Sequence, residues 1–252
     1  MRINRYLEIT FWISILCIAL FSLMAKDIWY ASHPNVPYPG RDGEGYSFGY
    51  GFISSLEAYS VWATSFVAWF ATIKTFYLFR NKVWKNYLTW EVITLIMNLV
   101  AMALFGIGGS LTALLGQADG IVFARSLIGH YILPIILLLY FFIVIHDKQD
   151  YKIQFKKHSY KIMLIVLIYA TIIITKYLVT TNFERDEDAM YEISQHIHDW
   201  TWQSDYWLYP AIAPFNLGWY LFSFTLIVII FAHMGVYMFF IFINNQLKYR
   251  FK

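Results

Sequence analysis

Six stretches of mostly apolar residues, each about as long as a bilayer is thick, dominate this chain of 252 residues. A hydrocarbon core about 30 Å deep takes roughly 20 residues at 1.5 Å rise each. The stretches fall at about 8–25, 53–79, 87–109, 124–145, 160–181 and 215–243. Lipid offers the backbone no hydrogen-bonding partner, so each is read as a helix, and none alternates as a half-buried strand would. The expected fold is an all-α polytopic membrane bundle of six transmembrane helices, a single integral membrane domain over 1–252.

Composition agrees. Charged residues make up 14% of the chain, against about 25% in soluble domains, too few to coat a globule of this size. Cys17 stands alone, which excludes an internal disulfide framework and a four-cysteine zinc site. A formal charge of +3 gives no reason to expect nucleic acid as a partner.

Where the basic residues fall sets the orientation. Of 19 Lys and Arg, 13 lie at the N-terminus (Arg2, Arg5), in the loops at 80–85 and 148–161, or at the C-terminus from Lys248 onward. These are alternate segments, so the positive-inside rule puts both termini in the cytoplasm. The N-terminal run of two arginines and an apolar stretch also has the outline of a signal peptide. It is followed by Lys26-Asp27 rather than a small-residue cleavage site, so a retained helix is expected. Richness in Ile, Lys, Tyr and Phe reads as bacterial, and the plasma membrane is the expected location.

Two outer loops are distinctive. The first, about 26–52, is rich in Pro, Gly and aromatic residues and reads as irregular. The second, about 182–214, carries Glu184, Asp186, Glu187, Asp188, Glu192, Asp199 and Asp205 against Arg185 alone. That acidic loop is a candidate docking surface for an extracellular protein partner. Membrane lipids are the expected small-molecule partners.

Polar residues at membrane depth are costly and turn inward, so chemistry is sought there first. Glu57, Ser60 and Thr64 share one helical face, as do Ser126, His130 and Pro134, with Arg125 beside them. Helical rise puts Ser60 level with His130, and Thr64 one turn deeper. A hydroxyl beside a neutral imidazole is the smallest nucleophile and base pair for acyl transfer. Asn98, Arg125 and Tyr131 are candidates to polarise a substrate carbonyl, and Glu57 to orient the base or pair with Arg125. The plainer alternative is that these groups bond the carbonyl four residues back or join helices. His196-x-His198-Asp199 has the outline of a metal-ligand cluster, but i and i+2 diverge on a helix, so neither metal nor cofactor is expected. His233 reads as a packing residue. Gly106, Gly108 and Gly109 lack the strand and lysine of a phosphate loop.

Three local patterns, in one order and on matching spans, carry a resemblance. They are Tyr59-Ser60 with Thr64-Ser65, His130-Tyr131-Ile132-Leu133-Pro134, and Trp207-Leu208-Tyr209-Pro210. Together they are similar to the androgen-induced family of six-helix membrane hydrolases, whose members cleave fatty acid esters of hydroxy fatty acids, and to its bacterial relatives. The resemblance implies His130 as the base and a hydroxyl of the second span as the nucleophile. Ser60 fits when the following apolar residues are aligned, and Thr64 fits by residue type. The resulting expectation is an intramembrane lipid esterase. A solute or lipid carrier, or the substrate-binding membrane subunit of an importer, is the alternative that would use the same residues as a binding site.

Overall fold

The computed structural model describes residues 4–33, 58–107, 120–144, 147–183 and 214–250, and among these it is helical with no strand. The helices are α1 (Arg5–Ser32), α2 (Tyr59–Phe79), α3 (Tyr87–Ile107), α4 (Gly120–Leu127), α5 (Leu133–Ile143), α6 (Tyr151–Lys157), α7 (Ser159–Phe183) and α8 (Pro214–Arg250). A π-helical turn, Ile128–Ile132, joins α4 to α5.

Five stretches among the described residues are long and apolar enough to cross a membrane: Arg5–Ser32, Tyr87–Leu104, Phe123–Ile143, Tyr151–Thr175 and Leu217–Leu247. Such a set marks an integral membrane protein. The 21 residues of α2 give ~31 Å of rise, also enough to cross. Its Trp62, Trp69, Tyr59, Tyr77, Lys74 and five hydroxyl residues dilute the apolar signal.

The helix ends have local causes. Asn4 caps α1, its side chain accepting from the Tyr6 N–H at 3.0 Å. At the far end α1 runs past Lys26 and Asp27 to Ser32, longer than the apolar run alone implies. It stops where Pro34 disfavours helical geometry for His33. The α2–α3 connection turns on Asn81 and Asn86, both at positive φ (53° and 63°), a conformation asparagine tolerates. Arg5 donates to the carbonyls of Leu78 and Phe79 at 2.8 and 2.9 Å, serving the last turn of α2.

The chain divides into two compact units, residues 1–155 with 237–252, and residues 156–236. In the first, α1 packs along α2 and α2 along α3, while α4, the π turn and α5 lie against α1 and α3. Its core holds Trp12, Phe70, Ile93, Ile96, Leu133, Phe141 and Tyr237, all essentially inaccessible. In the second, Ile173 and Phe222 form a buried pair with Tyr169, Ile174 and Leu217 around it.

One end of the first unit holds a half-buried charge pair. Lys74 lies 3.1 Å from the Glu8 carboxylate, whose Oε1 also accepts from the Tyr140 hydroxyl at 2.8 Å. The same ammonium sits 4.2 Å above the Tyr87 ring. Lys74→Met leaves Glu8 without its cation in a site of low dielectric, and a loss of about 2 kcal/mol is expected, somewhat below the cost of breaking a fully buried pair. Adding Glu8→Gln removes the stranded charge and restores part of the loss. Thermal midpoints in detergent decide this: a double variant as unstable as Lys74→Met rules out charge pairing as the cause.

Candidate active site

The helix that carries His130 does not run straight. Proline at 134 has no N–H for the carbonyl of residue 130, four positions back, and its ring crowds that carbonyl. The backbone meets this by widening: the Leu133 N–H bonds the Ile128 carbonyl, five residues away. His130 therefore stands inside a π turn, a distortion that often marks functional sites because it re-aims side chains.

Within that turn the imidazole is oriented by its own helix. Its Nδ1 lies 2.8 Å from the Ser126 carbonyl, which only accepts, so the proton resides on Nδ1 and Nε2 carries the lone pair. A neutral histidine in this tautomer has the electronic form of a general base. The preceding residue is glycine for a steric reason: a Cβ on Gly129 would sit 2.8 Å from Ser22 Oγ and 3.7 Å from Thr64 Oγ1. Lacking that atom, the π turn approaches α1 and α2 closely.

Three helices and the π turn thus enclose one crevice, lined by Ser22 and Leu23 of α1, Ser60, Val61 and Thr64 of α2, Arg125 and Ser126 of α4, and Gly129 and His130. The space open to the centre of a water-sized sphere is about 10 Å³, room for one water or one carbonyl oxygen. Ser60 occupies the first turn of α2, where the helix dipole favours negative charge. Thr64 lies a turn further along and is buried, while Ser60 and His130 are half-buried. Arg125 and Ser22 clasp each other's backbones: Arg125 Nε donates to the Ser22 carbonyl at 2.9 Å and Ser22 Oγ to the Arg125 carbonyl at 3.3 Å. That clasp fixes a cation at the crevice wall.

Of the residues singled out in the sequence, Ser60, Thr64, Arg125 and His130 line the crevice together, and Ser126 joins them. Tyr131 is half-buried beside His130 but does not line it. Asn98 also stands apart. It is fully buried on α3, with Nδ2 donating to the carbonyls of Ala63 and Thr94 at 3.1 and 2.8 Å, so it braces the backbone next to Thr64. Glu57, the His196–Asp199 cluster, the Trp207–Pro210 element, the first outer loop from residue 34 onward and the second over 184–213 lie outside the described residues. His233 is buried and its Nδ1 is 2.8 Å from the Ile229 carbonyl of its own helix, in keeping with a packing role. No group of His, Cys, Asp or Glu suited to a metal ion occurs among the described residues.

Of the lining residues that the sequence did not signal, Ser22, Leu23, Val61 and Gly129, Ser22 and Gly129 shape the crevice most directly. A single serine in an apolar span is too common to stand out, and a glycine beside histidine reveals its purpose only when the neighbouring helix is in place. An apolar groove of about 420 Å³ runs along a different face of α1, past Phe21, Met24, Ile28 and Trp29 to Ile121 of α4. No family model, no curated protein and no solved structure matches this chain.

Proposed function

We propose that this chain is an intramembrane lipid esterase, a six-span bundle of the bacterial plasma membrane with both termini in the cytoplasm and α2 as the remaining span. The observation that carries the reading is that two hydroxyls, Ser60 and Thr64, and an imidazole in the base tautomer, His130, line one crevice. The resemblance to the androgen-induced hydrolases points the same way, with the histidine and proline of the fourth span in register.

In this mechanism the Ser60 or Thr64 oxygen attacks the ester carbonyl and forms a C–O bond as its proton passes to His130 Nε2. The carbonyl oxygen gains negative charge, which the start of α2 and the Arg125 guanidinium stabilise. The tetrahedral intermediate collapses, the ester C–O bond breaks, and the leaving alkoxide takes the proton from His130. Water then cleaves the acyl-enzyme with His130 as base again. The acyl chain is assigned to the apolar groove of α1, whose lining residues Phe21 and Met24 flank Ser22 and Leu23 of the crevice in sequence.

Labelling with a lipophilic fluorophosphonate separates the two nucleophiles. Purified wild type is expected to label, and labelling is expected to vanish in one of Ser60→Ala and Thr64→Ala while persisting in the other. Equal labelling of both variants, or an unlabelled wild type that also fails to cleave p-nitrophenyl palmitate, sinks the esterase reading.

A further inference from the structure

We propose that the buried polar face of α3 holds a chain of water that conducts protons between the charged cluster at Glu8 and Lys74 and the crevice at Thr64 and His130. Glu91, Thr94 and Asn98 occur at i, i+3 and i+7, one face of the helix, and are only 4%, 1% and 0% exposed. Three inward polar groups in a span of this kind are expensive, and such groups line ion or proton paths.

Two of them present acceptors that protein atoms do not satisfy. Asn98 spends its amide N–H groups on carbonyls, yet Asn98 Oδ1 and Thr94 Oγ1 are both buried without a hydrogen bond. Thr75 Oγ1 on α2 is in the same condition. Leaving a buried polar atom this way costs about 1–3 kcal/mol, and ordered water is the usual remedy. Helical rise separates Glu91 from Thr94 by ~4.5 Å and Thr94 from Asn98 by ~6 Å, gaps that one or two waters span.

Both ends of the face reach titratable groups. Asn98 holds the Ala63 carbonyl, adjacent to Thr64, whose hydroxyl lies against the π turn of His130. At the other end Glu91 lies one helical turn from Tyr87, whose ring sits 4.2 Å beneath the Lys74 ammonium. Tyr140 donates to Glu8, and Glu8 pairs with Lys74. A proton accepted at the carboxylate end therefore has a succession of hydroxyl, amide and water oxygens to follow toward the imidazole.

The test reconstitutes the full chain into phospholipid vesicles enclosing the pH dye pyranine, with valinomycin and a potassium gradient to drive proton entry. Wild type and Thr171→Val, whose hydroxyl merely bonds its own helix at Leu167, are expected to acidify the lumen faster than protein-free vesicles. Glu91→Gln and Thr94→Val, the second nearly isosteric, are expected to fall to the protein-free rate while keeping the wild-type thermal midpoint. No flux in wild type overturns the proposal, and so does flux that survives in both variants. Fluorophosphonate labelling of Glu91→Gln, read on the same preparation, reports the esterase site separately, so the two readings stand or fall independently.

Discussion

His130→Ala is expected to lower the hydrolysis of p-nitrophenyl palmitate by at least about a hundredfold, the low end of what a positioned general base contributes. Structurally the substitution is mild. The imidazole is half-buried, and its bond to the Ser126 carbonyl of its own helix is worth about 1 kcal/mol. The thermal midpoint should therefore move little while turnover collapses. The pH profile gives a second readout that a purely structural histidine does not supply. The base works only when neutral, so the wild-type rate falls on the acid side as the imidazole gains its proton, and the residual rate of the variant lacks that limb. A variant that keeps the wild-type rate and the same acid limb removes His130 from the chemistry, whatever the labelling experiment shows at Ser60 and Thr64.

The helices were legible in the sequence because lipid leaves the backbone no choice: an apolar run of bilayer length must satisfy its own hydrogen bonds. Their ends were less so. Lys26 and Asp27 read as the close of the first span, yet α1 continues to Ser32, since a long lysine reaches water from inside a helix and only Pro34 forbids the next turn. The second stretch reads as starting near 53, whereas the described helix starts at Tyr59 after an extended Ala58. At the site, helical arithmetic set Ser60 level with His130, and both line the crevice, but so does Thr64, because the crevice extends over a full turn of α2. Pro134 signalled a disturbance near His130 without specifying its kind, and that the turn would lie close against Ser22 and Thr64, as Gly129 permits, is visible only in the packed helices. The pairing of Glu8 with Lys74 was illegible for a different reason. Each charge sits near a span end, where solvation is the default reading, and which helices abut is a property of the packed bundle alone.

The second large effect is on stability. Trp12→Ala is expected to cost about 3–5 kcal/mol, the range for emptying a large aromatic site in a core. Trp12 is 0% exposed and meets Phe70 and Tyr140 edge to face, with centroids 5.0 and 4.9 Å apart. Its indole N–H also donates to the Tyr140 hydroxyl at 3.3 Å, the same hydroxyl that donates to Glu8. Inside a membrane, removing apolar surface from lipid gains little, so the bundle is held by close packing and by such bonds. Deleting the indole therefore opens a void between α1, α2 and α5 and also loosens the Glu8–Lys74 cluster. Trp69→Ala is the matched comparison: Trp69 touches Trp84 and Trp90 but is 39% exposed, and its loss should cost under about 1 kcal/mol, because lipid can fill the space it leaves. Trp12→Phe, which keeps the ring contacts and drops the N–H, should fall between the two. Unfolding in mixed detergent followed by circular dichroism gives the order. If Trp12→Ala unfolds no earlier than Trp69→Ala, the stability of the first unit does not rest on this three-helix junction, and the cluster beside it must draw its rigidity from elsewhere.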